Sequence, residues 1–272
     1  MKKLILSLST LLFLNFIYAS ASNHDQKSKG KILMIAANPS VSSITGWPIG
    51  CWAAELTHPF WEFTHAGYEV MIVSPSGGKL EFDSYSNPLD ESGYSAHDLI
   101  SLGWIHSKKH MTLIENTPKL SDINPDEYAA IFVVGGQSPM FTFRHNKHLT
   151  DFIVKFYQTG KPTALVCHST CILLDAKLPN GKYLVEGKKW TGFANSEEQF
   201  ADNFVGKRIQ PFWIEDEAKK IPNTKFLVKE AFTPFAIADG NLITGQQQNS
   251  GTEAARFLIN QLAQNAKVPA KK

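Results

Sequence analysis

The chain has 272 residues, of which 43% are hydrophobic and 19% charged, with a formal net charge of +2. This composition is typical of a globular protein and excludes a disordered chain. It also gives no sign of the basic surface that a nucleic-acid-binding protein needs. The three cysteines are too few and too unevenly spaced for a disulfide scaffold.

The N-terminal segment has the pattern of a signal peptide. Met1-Lys2-Lys3 is positive, Leu4 to Tyr18 is mostly apolar, and Ala19-Ser20-Ala21 has the small-residue spacing of a cleavage site. The apolar stretch is short for a membrane-spanning helix. We therefore expect an exported protein, periplasmic or secreted, with no membrane contact after cleavage. The predicted organisation is a signal peptide (1–21), a leader (22–30), one α/β domain (31–265) and a basic tail (266–272).

Continuous apolar runs, each followed by a polar or glycine-rich turn, predict buried strands. Helical spacing of apolar residues between these runs predicts helices. The predicted strands are 31–37, 69–73, 129–134, 163–166, 189–192, 235–238 and 242–244. The first predicted helix starts or bends at Pro59 and ends at Gly67, and the others cover 96–102, 146–159, 197–204 and 252–264. Asn195 or Ser196 is the predicted cap of the helix 197–204. The less regular segment 79–125, which holds Asp83 and the helix 96–102, is predicted to be a surface excursion. Alternating strands and helices indicate a largely parallel sheet.

In such a sheet the ligand site lies beyond the carboxyl ends of the strands. Three places meet that condition: the loop after Ala37, the Gly135-Gly136 turn, and Cys167. Cys167 ends a predicted strand, and a predicted helix follows from His168. A thiol in that position is near helix amides that favour a thiolate. The alternative is a buried structural cysteine, and the local pattern leaves both open.

Seven motifs occur in the order found in a known family. They are Gly50-x4-Glu55-Leu-Thr-His-Pro59, Phe63-x2-Ala66-Gly67-Tyr-Glu-Val70, Ser74-Pro75-x-Gly77-Gly78, Val134-Gly135-Gly136, Val166-Cys167-His168, Thr191-Gly192-Phe193 and Leu242-Ile-Thr-Gly-Gln246. On these motifs the chain resembles the ThiJ/PfpI superfamily, and within it the glyoxalase III and holding-chaperone branch, over roughly residues 30 to 262. The resemblance implies a flavodoxin-like three-layer sandwich with a cysteine nucleophile elbow.

The resemblance also implies the catalytic residues. Cys167 matches the family's reactive cysteine, His168 the adjacent histidine, and Glu55 the glutamate that touches the thiol. Glu198 falls at the position of the triad's acid, with Glu197 as a one-residue alternative. These residues suit the chemistry, because an imidazole oriented by a carboxylate can handle a thiol proton.

The glycine turn is the predicted oxyanion site. We assign that role to Gly135 and Gly136, and the backbone amides of Gly136 and His168 could form the hole, since it needs only N–H groups. Two departures from the family pattern alter the pocket. Gln137-Ser138 stands where the family has His-Gly, and Ser169-Thr170 stands where it has Gly-Pro. We expect substrate identity to depend on the Ser169-Thr170 pair.

The predicted function is a glyoxalase-like enzyme that converts small reactive carbonyls such as methylglyoxal without glutathione, metal or other cofactor. His106 and His110 have a spacing that could hold a metal on a helix, but no third ligand is evident. The resemblance implies a homodimer. The alternatives are a holding chaperone, a cysteine redox sensor, and an amidase or peptidase.

Overall fold

The computed structural model describes residues 28–267. The predicted signal peptide, most of the leader and the end of the basic tail lie outside this range. The strands are β1 Lys31–Ile35, β2 Ser40–Val41, β3 Pro48–Ile49, β4 Glu69–Val73, β5 Ala130–Val133, β6 Thr163–Val166, β7 Lys189–Trp190, β8 Lys225–Phe226, β9 Ala236–Asp239 and β10 Leu242–Gly245. The helices are α1 Ala53–His65, α2 Leu99–His106, α3 Lys108–Glu115, α4 Ser138–Thr142, α5 Lys147–Gln158, α6 Asn195–Val205, α7 Ile214–Ala218 and α8 Gly251–Asn265.

A six-stranded sheet in the order β4-β1-β5-β6-β10-β9 forms the centre of the domain. All of its pairs are parallel except the β9–β10 hairpin. The crossover from β1 to β4 and the crossover from β5 to β6 run in opposite directions along the sheet. Right-handed crossovers therefore place α1 and α5 on opposite faces. The predicted flavodoxin-like α/β sandwich is confirmed. Within residues 28–267, no helix combines the length and apolar character needed to cross a membrane.

The strand register brings the predicted ligand loops together. Ile35 pairs with Val133, and Val133 pairs with Leu165, so β1, β5 and β6 end side by side. After β1 the chain adds β4 on one side, and it then adds β5 and β6 on the other side. The boundary between β1 and β5 is therefore the switch point at which such sheets bind ligands. Cys167 and Gly135, which follow β6 and β5, therefore lie next to each other.

The central strands β1, β5 and β6 form where the sequence predicts them because their side chains are almost entirely buried, whereas the two-residue strands β2, β3 and β8 were not predicted. Every side chain of β5 and β6 is buried, as is every residue from Ile32 to Ala37. A strand buried on both faces has a continuous apolar run, which is the most easily recognised pattern in an α/β sequence.

The predictions for helix ends needed correction. Helix α1 begins at Ala53, and Pro59 lies inside it, so the prediction that the helix starts at Pro59 was wrong. Burial of one face of α1 in the core, at Leu56, Pro59 and Phe63, offsets the hydrogen bond that proline removes. In α6 the predicted caps were also wrong. The helix begins after Ala194, whose N–H donates to the Glu197 carboxylate at 2.9 Å.

The segment predicted as an irregular surface excursion contains two helices, α2 and α3, separated at Ser107. His106 ends α2, whereas His110 belongs to α3 and stacks on Trp104 with ring centroids 4.7 Å apart. The two histidines are therefore not on one helix. Among the side chains of residues 28–267, no group of three or more metal-ligating residues is placed to hold an ion.

A glycine substitution at the C-terminal end of β10, with a second one in α2 as its control, tests how tightly the chain packs below the site. A Cβ at Gly245 would lie 2.8 Å from Val166 Cγ1 and 3.1 Å from Ser250 Cβ, whereas a Cβ at Gly103 meets nothing within 4 Å. Gly245→Ala should lower the free energy of unfolding by about 1–3 kcal/mol through overpacking. Gly103→Ala, inside α2, should raise it by roughly 0.5–1 kcal/mol. Urea unfolding measures both, and equal effects would contradict the packing described here.

Candidate active site

Cys167 lies at a strained bend directly after β6. Its φ is +58°, in the left-handed region that a residue with a side chain rarely adopts. Such strain costs on the order of 1–3 kcal/mol and persists only where the surroundings impose it. The neighbouring strand imposes it here, because a Cβ at Gly135 would lie 2.8 Å from Cys167 Cβ. The chain continues from Cys167 into a 3-10 helix, Cys167–Leu174, and not into the α-helix expected for an elbow.

The Ser169-Thr170 pair supports this bend from behind. The Ser169 hydroxyl accepts a hydrogen bond from Val166 N–H at 3.0 Å, and the Thr170 hydroxyl donates to the Cys167 carbonyl at 2.7 Å. Both side chains are fully buried, and neither lines the cleft beside the thiol. The expectation that this pair determines substrate identity is therefore wrong. Its hydroxyls satisfy backbone groups of the elbow.

His168 connects the thiol to a buried carboxylate. Its Nδ1 lies 3.5 Å from Cys167 Sγ, and its Nε2 lies 3.1 Å from Glu198 Oε1. The imidazole also stacks on Phe193, with ring centroids 4.1 Å apart. Burial lowers the pKa of His168, but the charge of Glu198 and its hydrogen bond outweigh burial, so the pKa is raised. Cys167, His168 and Glu198 thus form a Cys-His-Glu array in which Glu198 fixes the orientation of the imidazole ring.

Glu197, the alternative triad acid, faces a different set of groups. Its carboxylate accepts hydrogen bonds from Ala194 N–H, from Phe232 N–H at 3.0 Å and from Gln246 Nε2 at 2.8 Å. It therefore joins the start of α6 to the loop that carries Phe232. Of the two glutamates, Glu198 is the one in contact with His168.

Glu55 reaches the thiol from the first turn of α1. It is fully buried, and its Oε2 accepts the Gly135 N–H at 2.9 Å. Burial raises the pKa of this carboxyl to about 7, while the neighbouring Cys167 thiol and the charge of His168 lower it in part. Its other oxygen, Oε1, is buried and has no hydrogen-bond partner among residues 28–267. A carboxyl group with a pKa near neutrality can both take and return a proton at physiological pH.

The thiol itself is less acidic than the sequence predicted. Burial, followed by the charge of Glu55, raises the pKa of Cys167, although hydrogen bonds from the His168 and Gly136 amides lower it. The thiolate is therefore favoured only when the neighbouring carboxyl group carries the proton. The Gly135 N–H donates a hydrogen bond to Glu55, so this amide is not available to an oxyanion. The amides directed at the sulfur are those of Gly136 and His168. The assignment of Gly135 to the oxyanion hole therefore does not fit.

Asp83, in the segment assigned to a surface excursion, fixes the position of the Gly136 peptide. Its Oδ1 accepts Gly50 N–H at 2.8 Å and its Oδ2 accepts Gln137 N–H at 2.7 Å. The side chain is fully buried, and burial raises its pKa to about 6. Sequence reasoning missed Asp83 because a single aspartate in a polar loop gives no signal of long-range contacts.

The thiol opens onto a cleft whose walls are mainly aromatic. Cys167 lies at its buried end with 2% of its surface exposed, and His168, Glu198 and Gln137 also face it. Glu55 does not line the cleft but lies behind the sulfur. The aromatic lining consists of Trp47, Trp52, Tyr85, Tyr94, Phe193, Phe200, Phe204 and Phe232. A buried nucleophile with such walls is suited to a small, uncharged molecule.

These features define a class of protein: an α/β sandwich with a strained cysteine between a histidine–glutamate pair and a second, buried glutamate. The family model for the DJ-1/PfpI family matches residues 50–261, and the chain belongs to that family. It is 30% identical over 246 residues to the glutathione-independent glyoxalase HSP31 of Saccharomyces cerevisiae, spanning 86% of this chain and 98% of that protein.

Solved structures agree with the fold. Glyoxalase III of Candida albicans superposes with a TM-score of 0.69 at 25% identity, covering 85% of this chain and 97% of that one. The Rapid Encystment Protein 24 KDa of Francisella tularensis gives a TM-score of 0.76 at 24% identity, covering 86% and 99%. The second match supports the architecture alone.

The buried charge of Glu55 should cost stability. Because its pKa is raised to about 7, the folded protein retains a proton that the unfolded chain loses near pH 4.5. Stability contributed by protonated Glu55 is therefore lost as pH rises through this window. Glu55→Gln should raise the free energy of unfolding at pH 8 by roughly 1–3 kcal/mol relative to wild type, and much less at pH 5. Urea unfolding at both pH values measures this difference, and a Gln variant that is less stable at pH 8 would contradict it.

The two adjacent glutamates should separate by experiment. Glu198→Gln removes the charge that raises the His168 pKa, so that pKa should fall below its wild-type value in an NMR titration. Glu197→Gln should shift this titration less than Glu198→Gln does, because Glu197 does not contact His168, but it should lower the unfolding free energy by about 1–3 kcal/mol, since its three donors lose an ionised acceptor. A larger His168 shift in Glu197→Gln than in Glu198→Gln would reverse the assignment.

Proposed function

We propose that the protein is a glutathione-independent glyoxalase that converts small 2-oxoaldehydes such as methylglyoxal to 2-hydroxy acids. One observation carries the proposal: the Cys167 thiol lies between two groups that can exchange protons near neutral pH, Glu55 behind it and His168 beside it. The names of HSP31 and of the Candida albicans structure support the same activity.

The first step forms a carbon–sulfur bond. The thiol proton passes to the Glu55 carboxylate, and Sγ attacks the aldehyde carbon, C1. The carbonyl electron pair moves to the oxygen, which the N–H groups of Gly136 and His168 stabilise before it is protonated. Transfer from thiol to carboxylate leaves the net charge of the site unchanged, which suits a buried setting. The product is a hemithioacetal.

The second step moves a proton between adjacent carbons. His168 lines the cleft, so its Nδ1 can accept the C1 proton and form an enediol, while Glu198 stabilises the imidazolium. The C1 oxygen has by then taken the proton held by Glu55, and the C2 oxygen takes a proton as the enediol forms. The imidazolium then protonates C2 while the C1 hydroxyl loses its proton, which gives a thioester with no net gain or loss of protons. C1 is oxidised and C2 is reduced, so no external oxidant is needed. Water then cleaves the carbon–sulfur bond, restores the thiol and releases the 2-hydroxy acid.

The alternatives find less support in the site. A peptidase needs an open groove, whereas Cys167 is buried at the end of an aromatic cleft. A redox sensor needs a readily formed thiolate, whereas burial and Glu55 raise the pKa of this thiol. A holding chaperone would bind its clients through exposed apolar surface. Part of the exposed apolar surface, at Phe200 and Phe204, belongs to the cleft that leads to Cys167 and therefore also suits a small-molecule site.

We also propose that the protein is exported and forms a homodimer. Export rests on the sequence pattern of the N-terminal segment, and the homodimer rests on the family resemblance. The predicted signal peptide, 1–21, lies outside the described residues. Comparing the intracellular and exported fractions of expressing cells tests export, and light scattering after size-exclusion chromatography tests the dimer. A full-length protein confined to the cytoplasm, or a monomer at micromolar concentration, would contradict the respective prediction.

Cys167→Ala should abolish conversion of methylglyoxal to lactate, with a loss of at least about 10³-fold in kcat. Cys171→Ala is the matched control, because Cys171 is also a buried free thiol but does not line the cleft. In D2O, the lactate should carry deuterium at C2, since the imidazole exchanges its proton with solvent. Equal turnover by the two variants would exclude the thiol as nucleophile. Deuterium at C2 would exclude direct hydride transfer from C1 to C2.

A further inference from the structure

The aromatic part of the cleft extends beyond what a three-carbon aldehyde needs. The cleft holds about 680 Å³ of free space, including the part open to solvent. Its lining includes eight aromatic side chains. Methylglyoxal has only a handful of heavy atoms, so it would occupy the end near Cys167 and leave most aromatic surfaces uncovered.

Those surfaces form a connected wall. Phe204 contacts Tyr85 and Tyr94 with ring centroids 5.9 and 6.1 Å apart, and Tyr94 contacts Trp52 at 6.2 Å. Phe200 packs edge-on against Phe232 at 5.0 Å. Aromatic rings arranged edge-to-face leave ring faces and edges available to a further planar group.

Three members of this wall are held in costly states. Phe232 has a φ of +60°, a strained conformation for a bulky residue, and its N–H is held by the buried Glu197 carboxylate at 3.0 Å. Phe200 and Phe204 line the cleft and are 48% and 59% exposed. Exposed aromatic surface costs about 25 cal/mol per Å² relative to burial, so a ligand that covers it gains binding energy.

Two side-chain oxygens of residues that line the cleft, Gln137 Oε1 and Gln210 Oε1, have no hydrogen-bond partner among the described residues, and Gln210 is the more deeply buried of the two side chains. Gln210 is only 2% exposed. Leaving a buried carbonyl oxygen unpaired costs on the order of 1–3 kcal/mol. A donor on a bound ligand would remove that cost.

We propose that the cleft takes 2-oxoaldehydes carrying a planar apolar substituent with a hydrogen-bond donor: the dicarbonyl lies at Cys167, the ring lies against Phe204 and its neighbours, and Gln210 accepts from the donor. The proposal rests on the glyoxalase function and names its substrate class. The chemistry is unchanged, because R–CO–CHO and water give R–CHOH–COOH whether R is methyl or aryl.

The test compares kcat/KM for methylglyoxal, phenylglyoxal and 4-hydroxyphenylglyoxal. Because aryl substituents change intrinsic reactivity, the informative quantity is how the aryl-to-methyl ratio changes in a variant. Phe204→Ala should lower the phenyl-to-methyl ratio about tenfold, the equivalent of one aromatic contact. Trp61→Ala is the matched control, since Trp61 is 50% exposed and lies outside the cleft lining. Equal changes in both variants would overturn the proposal.

The proposed hydrogen bond from the ligand to Gln210 is tested with Gln210→Met, a replacement of similar volume. The methionine variant should lower the ratio of kcat/KM for the 4-hydroxyphenyl compound to that for the phenyl compound about fivefold or more relative to wild type. An unchanged ratio in the methionine variant would overturn the role of Gln210.

A binding assay separates this proposal from the proposed function. 1-Phenyl-1,2-propanedione and 2,3-butanedione have no aldehyde hydrogen and cannot complete the reaction, so protection of Cys167 from iodoacetamide reports binding alone. The phenyl compound should protect at a concentration about tenfold lower. Stronger protection by it without aldehyde turnover would overturn the glyoxalase function only. Methylglyoxal turnover with equal protection by the two diketones would overturn this inference only.

Discussion

The hydrogen bond from Gly135 N–H to Glu55 Oε2 joins the two halves of the site. It connects the end of β5 to the first turn of α1, two elements 80 residues apart in the chain. The same glycine lets β6 pass so close that a side chain at this position would collide with both the carboxylate and the elbow. The strained φ of Cys167, the burial of Glu55 and their mutual contact therefore have one origin: the close approach of neighbouring parallel strands at the switch point of the sheet.

That close approach makes proton sharing unavoidable. A thiol and a carboxyl group in contact, both fully buried, cannot both ionise without a large electrostatic cost. The pKa of the carboxyl rises to about 7 and that of the thiol also rises, so the pair keeps at least one proton across the physiological range. A catalyst built this way does not depend on a permanently activated thiolate. It forms the nucleophile by moving a proton over one hydrogen bond when a carbonyl carbon is in place.

The sequence predicted the parts of the fold and site that local pattern determines. Buried parallel strands have continuous apolar runs, and the ordered motifs placed Cys167, His168, Glu55 and Glu198 in one region. It did not predict features that depend on tertiary contacts. The start of α1 before Pro59 depends on packing of its buried face, and the burial of Ser169 and Thr170 depends on elbow backbone groups that need partners. Asp83 was missed because its two acceptor contacts come from residues 33 and 54 positions away.

The charges around the thiol also constrain what the site can bind and release. Glu55, Asp83 and Glu198 are buried carboxyl groups, and His168 is the imidazole that all three influence. A neutral dicarbonyl adds no charge to this group, and each step up to the thioester keeps the total constant. Hydrolysis changes that balance, because the product ionises to a carboxylate beside Glu198 in a cleft with apolar walls. Repulsion between like charges then favours release of the product. The same repulsion disfavours 2-oxo acids as ligands, so the buried carboxyl groups select for neutral carbonyl compounds.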